Sequence, residues 1–332
     1  MICGGQKEKS NKNSMTQEYV QHLTEEYGIR LNENLGQHLL VDQEALGFIA
    51  GQLIKGANVV EIGSGPGNLT ANLAQRANKV IGIEIDRRFE KVLADVTTDN
   101  KNVEILFSDA LKLNFDKLIS KDCSREWQIV GNIPYHISEP FLTKIVGLPV
   151  EDIILTVGDN LGYLIQLDNP YNDSFSRLSF LAQTFFDTQM LKTLGKSCFY
   201  PQPRTGSEVI RLAPKTKAEY VNPKLKIQKQ LFLSESRSPT VGKVLTETMD
   251  LAIEQGKVVR SKQEYNRHSR RTTKQDLRMM LTTGQNDTRK RYSTSPVDQL
   301  NLPENILSSP FARLNNQQIQ VLAIALQERF GI

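Results

Sequence analysis

The chain has 332 residues, of which 39% are hydrophobic and 23% are charged, and this composition excludes a peptide, a coiled coil and a wholly disordered protein. The formal net charge of +4 is divided unevenly: residues 214–332 carry 20 Lys and Arg against 11 Asp and Glu, a net of +9, and residues 1–213 carry 21 against 26, a net of −5. A basic C-terminal third predicts an anionic partner such as nucleic acid, and the alternative is a solvated lysine-rich surface.

The cysteines and the N-terminus indicate the compartment. Cys3, Cys123 and Cys198 lie far apart without a CxxC pair, which argues against a disulfide framework and a cysteine zinc site, and we expect no bound metal. Residues 1–15 are polar and are predicted to be a disordered tail rather than a signal peptide. Because no stretch approaches the roughly 18 apolar residues of a membrane helix, we expect a cytoplasmic protein without a membrane partner.

From residue 16 to residue 213, helical patterns alternate with short β-branched runs, which is typical of a parallel α/β sheet with helical crossovers. Asp42 is predicted to cap the helix that ends before Gly56. The predicted helices are residues 16–27, 43–55, 69–76, 89–96 and 139–146. The predicted strands are residues 59–62, 79–85, 103–107, 128–130, 153–157 and 209–212.

Helical patterns dominate after Pro214, and the following residues form the basic third. These patterns are residues 241–253, 274–281 and 317–330. We therefore predict a disordered tail (1–15), an α/β domain that holds the candidate catalytic residues (16–213) and a smaller, mainly helical, basic domain for a nucleic-acid partner (214–332). Basic residues just before a packed helix can contact a phosphate backbone, and the alternative is a solvated polar face. The candidate nucleic-acid-binding residues are Arg267, Arg270, Arg271 and Lys274.

A glycine-rich loop follows the first buried strand, where residues 61–70 read Glu-Ile-Gly-Ser-Gly-Pro-Gly-Asn-Leu-Thr. Glu84 stands at the end of the next strand, where a carboxylate can accept hydrogen bonds from both ribose hydroxyls. Asn68 replaces the last glycine of the dinucleotide pattern, which disfavours a nicotinamide dehydrogenase. Asp109 follows the third strand and can accept the amino group of an adenine, or else cap the next turn. The loop and the two acids predict a nucleoside site, and a purely structural turn is the alternative.

The tetrapeptide Asn132-Ile133-Pro134-Tyr135 follows a further strand and carries the chemistry. An adenine amine is a poor nucleophile, so a site that methylates it must hold the nitrogen in line with the methyl donor. The Asn132 side-chain oxygen and the neighbouring backbone carbonyl can accept its two N–H groups, because proline removes a competing donor and stiffens the turn. The Tyr135 ring offers a surface on which an extruded base can stack. A strand-end turn with a core tyrosine is the alternative.

These features together resemble the ribosomal RNA adenine N6-dimethyltransferase family, which includes the small-subunit dimethyladenosine transferases and the macrolide-resistance methyltransferases. The resemblance runs through seven segments in the family's order. They are residues 35–40, 61–70, 84–86, 108–110, 131–135, 176–179 and 199–203. It implies a Rossmann-like methyltransferase sheet with helices on both faces, S-adenosylmethionine as cofactor, and a monomer that acts on ribosomal RNA or on the pre-ribosomal small subunit.

The resemblance also implies roles for individual residues. At the cofactor, it places Gln37, His38 and Leu39 at the methionine end and has Gly63 and Gly65 contact the cofactor through their backbone. Glu84 binds the ribose, the adenine lies at Ile85, Asp109 and Ala110, and Asn132 also borders the cofactor. At the substrate, the resemblance implies that Asn132 and Ile133 accept hydrogen bonds from the target amine, beside Pro134. It also implies that Tyr135 and Phe199 stack on the two faces of the target base.

Several positions depart from the family's pattern. His38 and Leu39 stand where Asn and Phe are usual, Ser64 where Pro is usual, and residues 158–160 read Gly-Asp-Asn where the small-subunit enzymes carry Gln-Lys-Glu. Three alternatives stay open from the sequence. The first is an enzyme that methylates an adenine of large-subunit rRNA, because isoleucine at the position of Ile133 is common in the resistance enzymes. The second is a non-catalytic RNA-binding assembly factor with the same fold, and the third is a nicotinamide oxidoreductase.

Overall fold

The computed structural model describes residues 17–32, 36–119, 125–215, 223–233, 239–254 and 297–330. The chain divides into two compact units. The first unit comprises Met1–Leu167 and Phe185–Pro214, and the second comprises Asp168–Thr184 and Lys215–Ile332.

A seven-stranded sheet forms the centre of the first unit, in the order β4-β3-β2-β5-β6-β9-β7. The strands are β2 (Asn58–Ile62), β3 (Lys79–Glu84), β4 (Val103–Phe107), β5 (Trp127–Asn132), β6 (Asp152–Gly158), β7 (Phe186–Leu194) and β9 (Ser207–Pro214). The first five in sheet order are parallel, and β9 runs antiparallel between β6 and β7. A separate antiparallel pair joins β1 (Leu39–Leu40) to β8 (Phe199–Tyr200).

Helices flank this sheet. They are α1 (Gln17–Glu26), α2 (Gln43–Gly51), α3 (Asn68–Ala74), α4 (Glu90–Thr97), α5 (Phe115–Ile119), α6 (Tyr135–Ile145) and α7 (Asp159–Gln166). The predicted cap of α2 is confirmed, since the Asp42 side chain accepts a hydrogen bond from the Ala45 N–H at 2.8 Å. Every residue of β2 and of β6 is buried, as expected for strands covered on both faces. The structure thus confirms the predicted α/β class.

Several elements differ from the sequence prediction: α5, α7, β1 and β8 were not predicted, and α2 ends at Gly51 rather than at residue 55. Helix α6 begins at Tyr135 rather than at residue 139, because Pro134 is extended (φ −60°, ψ 141°) and lets the helix start directly after it. Strand β7 was not predicted, since its polar, half-exposed residues lack the apolar run of the central strands. The predicted helix at 274–281 lies outside the described residues.

The second unit is helical. Its helices are α8 (Arg177–Phe185, whose last residue belongs to the first unit), α9 (Pro223–Leu233), α10 (Val241–Glu254), α11 (Glu304–Leu307) and α12 (Asn316–Phe330). Phe180 of α8 lies 5.7 Å from the Phe232 ring and 5.9 Å from the Phe311 ring, centroid to centroid. These aromatic contacts explain why residues 168–184 group with the second unit, whereas the sequence prediction assigned them to the catalytic domain. Among the described residues, no helix has the length and apolar character needed to cross a membrane.

Candidate active site

Apart from residues 37–39, the predicted cofactor residues lie at the ends of four neighbouring parallel strands, β4, β3, β2 and β5. The glycine-rich loop leaves β2, Glu84 ends β3, Asp109 follows β4 and Asn132 ends β5. Because parallel strands end at the same edge of a sheet, the fold brings these residues to one edge, which is where open α/β sheets bind their ligands. The sequence prediction of one shared site is consistent with this topology.

The glycine-rich loop turns sharply between β2 and α3. Gly63 and Gly65 both have positive φ, 76° and 53°. Gly67 is required by packing as well, because its φ is 94° and a Cβ there would lie 2.9 Å from the Val96 Cγ1 atom. Asn68, which departs from the dinucleotide pattern, donates from its Nδ2 to the Leu40 carbonyl at 2.9 Å and so ties α3 to β1.

Glu84 is 6% exposed and lies against the backbone of the site. Its Oε2 accepts from the Gly65 N–H at 2.8 Å and its Oε1 accepts from the Asp86 N–H at 2.7 Å. Burial raises the pKa of Glu84 above its ordinary value. Each carboxylate oxygen has a second lone pair, so Glu84 can accept from two further hydroxyl groups while it holds the loop.

Gln37, which the family resemblance places at the methionine end of the cofactor, is held by two hydrogen bonds. Its Nε2 donates to the Asp86 Oδ2 at 2.8 Å, and its Oε1 accepts from the Asn32 N–H at 2.7 Å. The Arg88 guanidinium also binds Asp86, at 2.5 Å, and lowers the pKa of that carboxyl to about 2. Gln37 therefore fastens the segment before β1 to the end of β3.

The adenine side of the predicted cofactor site contains an apolar and an acidic group. Ile85 is 67% exposed, which is unusual for a side chain of this size and leaves an apolar surface beside Glu84. The Asp109 Oδ1 accepts from the Leu111 N–H at 2.9 Å, and the neighbouring Ala110 is buried. The capping alternative for Asp109 is thus observed, although a carboxylate that caps a turn keeps lone pairs for a ligand.

Asn132 is held by the segment that precedes β1. Its Nδ2 donates to the His38 backbone carbonyl at 2.8 Å, which leaves its Oδ1 as the acceptor of the side chain. His38 itself is fixed by a hydrogen bond of 2.8 Å between its Nδ1 and the Pro201 carbonyl. Gly36 has a φ of 67°, and a Cβ there would lie 2.7 Å from the Pro134 Cβ. Spacing gave no sign of this close packing of residues 36–38 on the Asn132 turn.

The backbone of the turn is ordered by α6. Ile133 is 3% exposed and donates its N–H to the Thr156 carbonyl at 3.2 Å. The Pro134 carbonyl accepts from the Ile137 N–H at 3.2 Å and from the Ser138 hydroxyl at 3.1 Å. Tyr135 is the first residue of α6, and the turn therefore connects β5 directly to a helix.

The predicted role of Phe199 is wrong for this conformation. Its ring is 2% exposed and belongs to the hydrophobic core around Leu46, Val130 and Val209, so neither face can stack on a base. The cause is the β1–β8 pair, in which Phe199 stands opposite Leu40, another core residue.

The next residue along, Tyr200, stands opposite Leu39, on the other face of the β1–β8 pair. The Leu39 Cδ2 lies 3.3 Å from where a Cβ on Gly65 would stand, so this face of the pair is turned to the glycine-rich loop. Tyr200 is half-buried, and its place opposite Leu39 makes it a candidate aromatic residue of the site that the sequence did not predict.

Glu61 carries a buried carboxyl group that was not predicted from the sequence, and it is 1% exposed. Its Oε2 accepts from the Ser64 hydroxyl at 2.9 Å and from the Thr70 hydroxyl at 2.6 Å, and its Oε1 has no partner among the described residues. Ser64, where the family usually has Pro, thus supplies a hydrogen bond to a buried acid. Burial raises the pKa of Glu61 to about 7. The sequence signal that could have revealed this group is an acid among the apolar residues of the predicted strand 59–62.

We expect Glu61→Gln to flatten the pH dependence of stability. Since the Glu61 pKa is about 7 in the folded state and 4.5 ordinarily, the unfolded chain releases its proton first as the pH rises. The free energy of unfolding should therefore fall by about 3 kcal/mol between pH 4.5 and pH 7 in the wild type and change less in the variant. Urea unfolding at several pH values measures this, with the exposed Glu104→Gln as control. Equal pH slopes for wild type and Glu61→Gln would contradict it.

The remaining predicted residues have different outcomes. Arg267, Arg270, Arg271 and Lys274 lie outside the described residues. At the departure in 158–160, β6 ends at Gly158 and the Asp159 N–H donates to the Gly206 carbonyl at 3.2 Å. This segment therefore joins β6 to the chain just before β9.

Known proteins give the context for this geometry. The sequence pattern of the ribosomal RNA adenine dimethylase family matches residues 28–273. The chain belongs to this family. The resemblance inferred from seven segments is confirmed, and the reaction class of the family is methyl transfer to adenine in ribosomal RNA, which excludes the nicotinamide oxidoreductase.

Individual members and solved structures are also similar to the chain. A probable ribosomal RNA small subunit methyltransferase A of Methanopyrus kandleri is 29% identical over 318 residues, which cover 95% of this chain and 99% of that protein. One from Pyrococcus abyssi is 33% identical over 229 residues, which cover 68% of this chain and 80% of that protein. The crystal structure of the 23S rRNA methyltransferase ErmE shares the dimethylase fold with a TM-score of 0.50 and 18% identity, covering 89% of this chain and 100% of that one.

Proposed function

We propose that the chain is an S-adenosylmethionine-dependent adenine N6-dimethyltransferase that modifies adjacent adenines in the 3′ terminal hairpin of small-subunit ribosomal RNA. The observation that carries the proposal is the Asn132 amide, which is oriented by the His38 carbonyl at the ligand-binding edge of a methyltransferase sheet. The scattered cysteines, without a CxxC pair, support a reducing, cytoplasmic location.

The residues at the sheet edge fit the proposed cofactor. Gly63 and Gly65 expose backbone at the positive-φ turn, Glu84 keeps lone pairs for the ribose hydroxyls, and the exposed Ile85 and the Asp109 carboxylate suit an adenine. A bound S-adenosylmethionine supplies a methyl group that carries the positive charge of a sulfonium and is therefore open to attack by an amine.

Positioning of the amine is the task of the Asn132 turn. The Asn132 Oδ1 and the Ile133 carbonyl accept the two amine N–H groups, which orients the nitrogen lone pair and favours a pyramidal amine. The proton leaves the nitrogen after methyl transfer, when it is acidic, so a strong general base is not needed. The site works by orientation and charge complementarity.

The small subunit is favoured over the large subunit by the extent of the match. The relative from Methanopyrus kandleri, which bears a small-subunit name, aligns with 95% of this chain, so the alignment includes most of the basic C-terminal third. The likeness to ErmE, at 18% identity, concerns the fold alone.

Methyl transfer from labelled S-adenosylmethionine tests the proposal. We expect label in immature 30S particles and dimethyladenosine in the 3′ terminal hairpin, with protein-free 23S rRNA as the comparison. Label in 23S rRNA alone would contradict the small-subunit assignment. Label in neither RNA, with RNA binding intact, would contradict the enzyme and favour the non-catalytic assembly factor.

Arg270 and Arg271, two of the candidate RNA-binding residues, supply a separate prediction. We expect the double variant Arg270→Glu and Arg271→Glu to bind ribosomal RNA more weakly and to reduce the slope of log K against log salt by about two, because each lost phosphate contact removes roughly one released counterion. Affinity for S-adenosylmethionine should not change. Filter binding at four salt concentrations measures the slope, and an unchanged slope would show that these arginines do not contact phosphate.

A further inference from the structure

The second unit contains a polar cavity of about 470 Å³, which lies within the range of small-molecule sites. It is lined by the segment before α8, by the residue after β9, and by helices α8, α9 and α12. Its lining includes two lysines, an exposed tyrosine and several side-chain amides. The residues that matter below are Tyr171, Lys215, Lys224, Gln228 and Gln327.

Gln228 of α9 lines this cavity and is 3% exposed. Its Oε1 has no hydrogen-bond partner among the residues that the structure describes. A buried acceptor without a partner is unfavourable, and an N–H or O–H group of a ligand would satisfy it.

The two lysines give the cavity a positive character. Lys224 also belongs to α9, and its ammonium donates to the Gln327 Oε1. Burial lowers the pKa of Lys224, which means that the ammonium is partly removed from water. Lys215 is the second ammonium group of the lining, and the nearby acids are Asp168 in the lining and Glu328 beside Tyr171. The two ammonium groups are the donors that a phosphate would meet in this cavity.

Tyr171 supplies an aromatic surface at the same cavity and is 55% exposed. Its hydroxyl donates to the Glu328 Oε1 at 3.1 Å, and its N–H donates to the Asn169 Oδ1 at 3.0 Å. The ring is therefore held in place while it stays accessible. A fixed, exposed tyrosine is a stacking surface for a nucleic acid base.

We propose that this cavity binds a single unpaired nucleotide of the ribosomal RNA substrate, with its base on Tyr171, a base N–H on the Gln228 Oε1 and its phosphate on Lys215 and Lys224. This inference rests on the proposed function, because that function supplies the RNA. The cavity is lined by residues of the second unit, so the nucleotide is a second contact of the RNA and not the adenine that is methylated.

Binding of a fluorescent RNA that spans the 3′ terminal hairpin and its flanking single strands tests this site in the full-length protein. We expect Tyr171→Leu and Gln228→Met each to weaken binding about tenfold, while Tyr171→Phe, which keeps the ring, stays within about twofold of wild type. Lys224→Gln should weaken binding and reduce the salt slope by about one. Lys243→Gln, an exposed lysine of α10, is the matched control and should change neither the affinity nor the slope by as much.

Two further measurements separate the outcomes. Thermal unfolding identifies folding defects, and Gln228→Met should be at least as stable as wild type because it removes an unpaired buried acceptor. Wild-type RNA affinity in all three cavity variants would overturn the nucleotide site, whether or not the protein methylates that RNA. Loss of affinity in these variants, in a protein that does not methylate the RNA, would support the nucleotide site and contradict the proposed enzyme.

Discussion

Replacement of Asn132 by alanine is expected to lower kcat for adenine methylation by about 10²–10³-fold. The variant loses the side-chain acceptor that the His38 carbonyl orients, so the amine is no longer held with its lone pair toward the methyl donor. Cofactor affinity should change little, because the glycine-rich loop and Glu84 are untouched. Single-turnover methylation with saturating RNA, together with calorimetry of S-adenosylmethionine binding, measures both quantities.

Asn102→Ala is the matched control for this variant. The Asn102 Nδ2 donates to the Ala74 and Ala77 carbonyls at 2.9 and 3.1 Å, at the amino end of β4 and away from the site. We expect it to cost about 1–3 kcal/mol of stability and to leave kcat unchanged. An Asn132→Ala enzyme within a few-fold of wild-type kcat would show that the backbone alone positions the amine.

Replacement of Phe199 by alanine is expected to destabilise the first unit by about 3–5 kcal/mol, because the ring fills the core beside Leu46 and Val209. Phe199→Leu keeps most of the volume and should cost only about 1 kcal/mol. If the ring acts only in the core, the leucine variant should keep nearly full kcat. Urea unfolding and the methylation assay, on the same preparations, test this.

Tyr200→Leu is the companion variant, because Tyr200 lies on the opposite face of β8, the face turned to the glycine-rich loop. We expect it to lower methylation more than Phe199→Leu and stability less than Phe199→Ala. A Phe199→Leu enzyme that is fully folded and has lost methylation would restore the stacking role inferred from the family and contradict the core assignment.

Much of the site could be predicted from the order of residues along the chain. The glycine-rich loop, Glu84, Asp109 and Asn132 each follow a strand, and parallel strands end at one edge, so their proximity needs only the correct fold class. A glycine at position 67 also indicates that a positive φ is allowed there, because other residues rarely adopt one. The Asn132 turn could be recognised because its residue types suit an adenine amine.

Other features depend on contacts between residues far apart in the sequence. The Asn132 amide is oriented by a carbonyl 94 positions earlier, and Gln37 bonds to Asp86 across 49 positions. Ser64 departs from the family's pattern, and its partner Glu61 becomes meaningful only when burial removes that acid from water. No local pattern carries such information, because burial and pairing are properties of the folded chain.

The local sequence was therefore sufficient for the class of sheet, the edge that carries the site and the chemistry of the Asn132 turn, since these follow from periodicity, strand direction and residue type. Only the tertiary structure places Phe199 in the core, groups residues 168–184 with the second unit and forms the cavity beside Tyr171. The physical reason is that a side chain's exposure is set by which distant elements pack against it. Phe199 has the residue type of a stacking platform, and its pairing opposite Leu40 makes it a core residue.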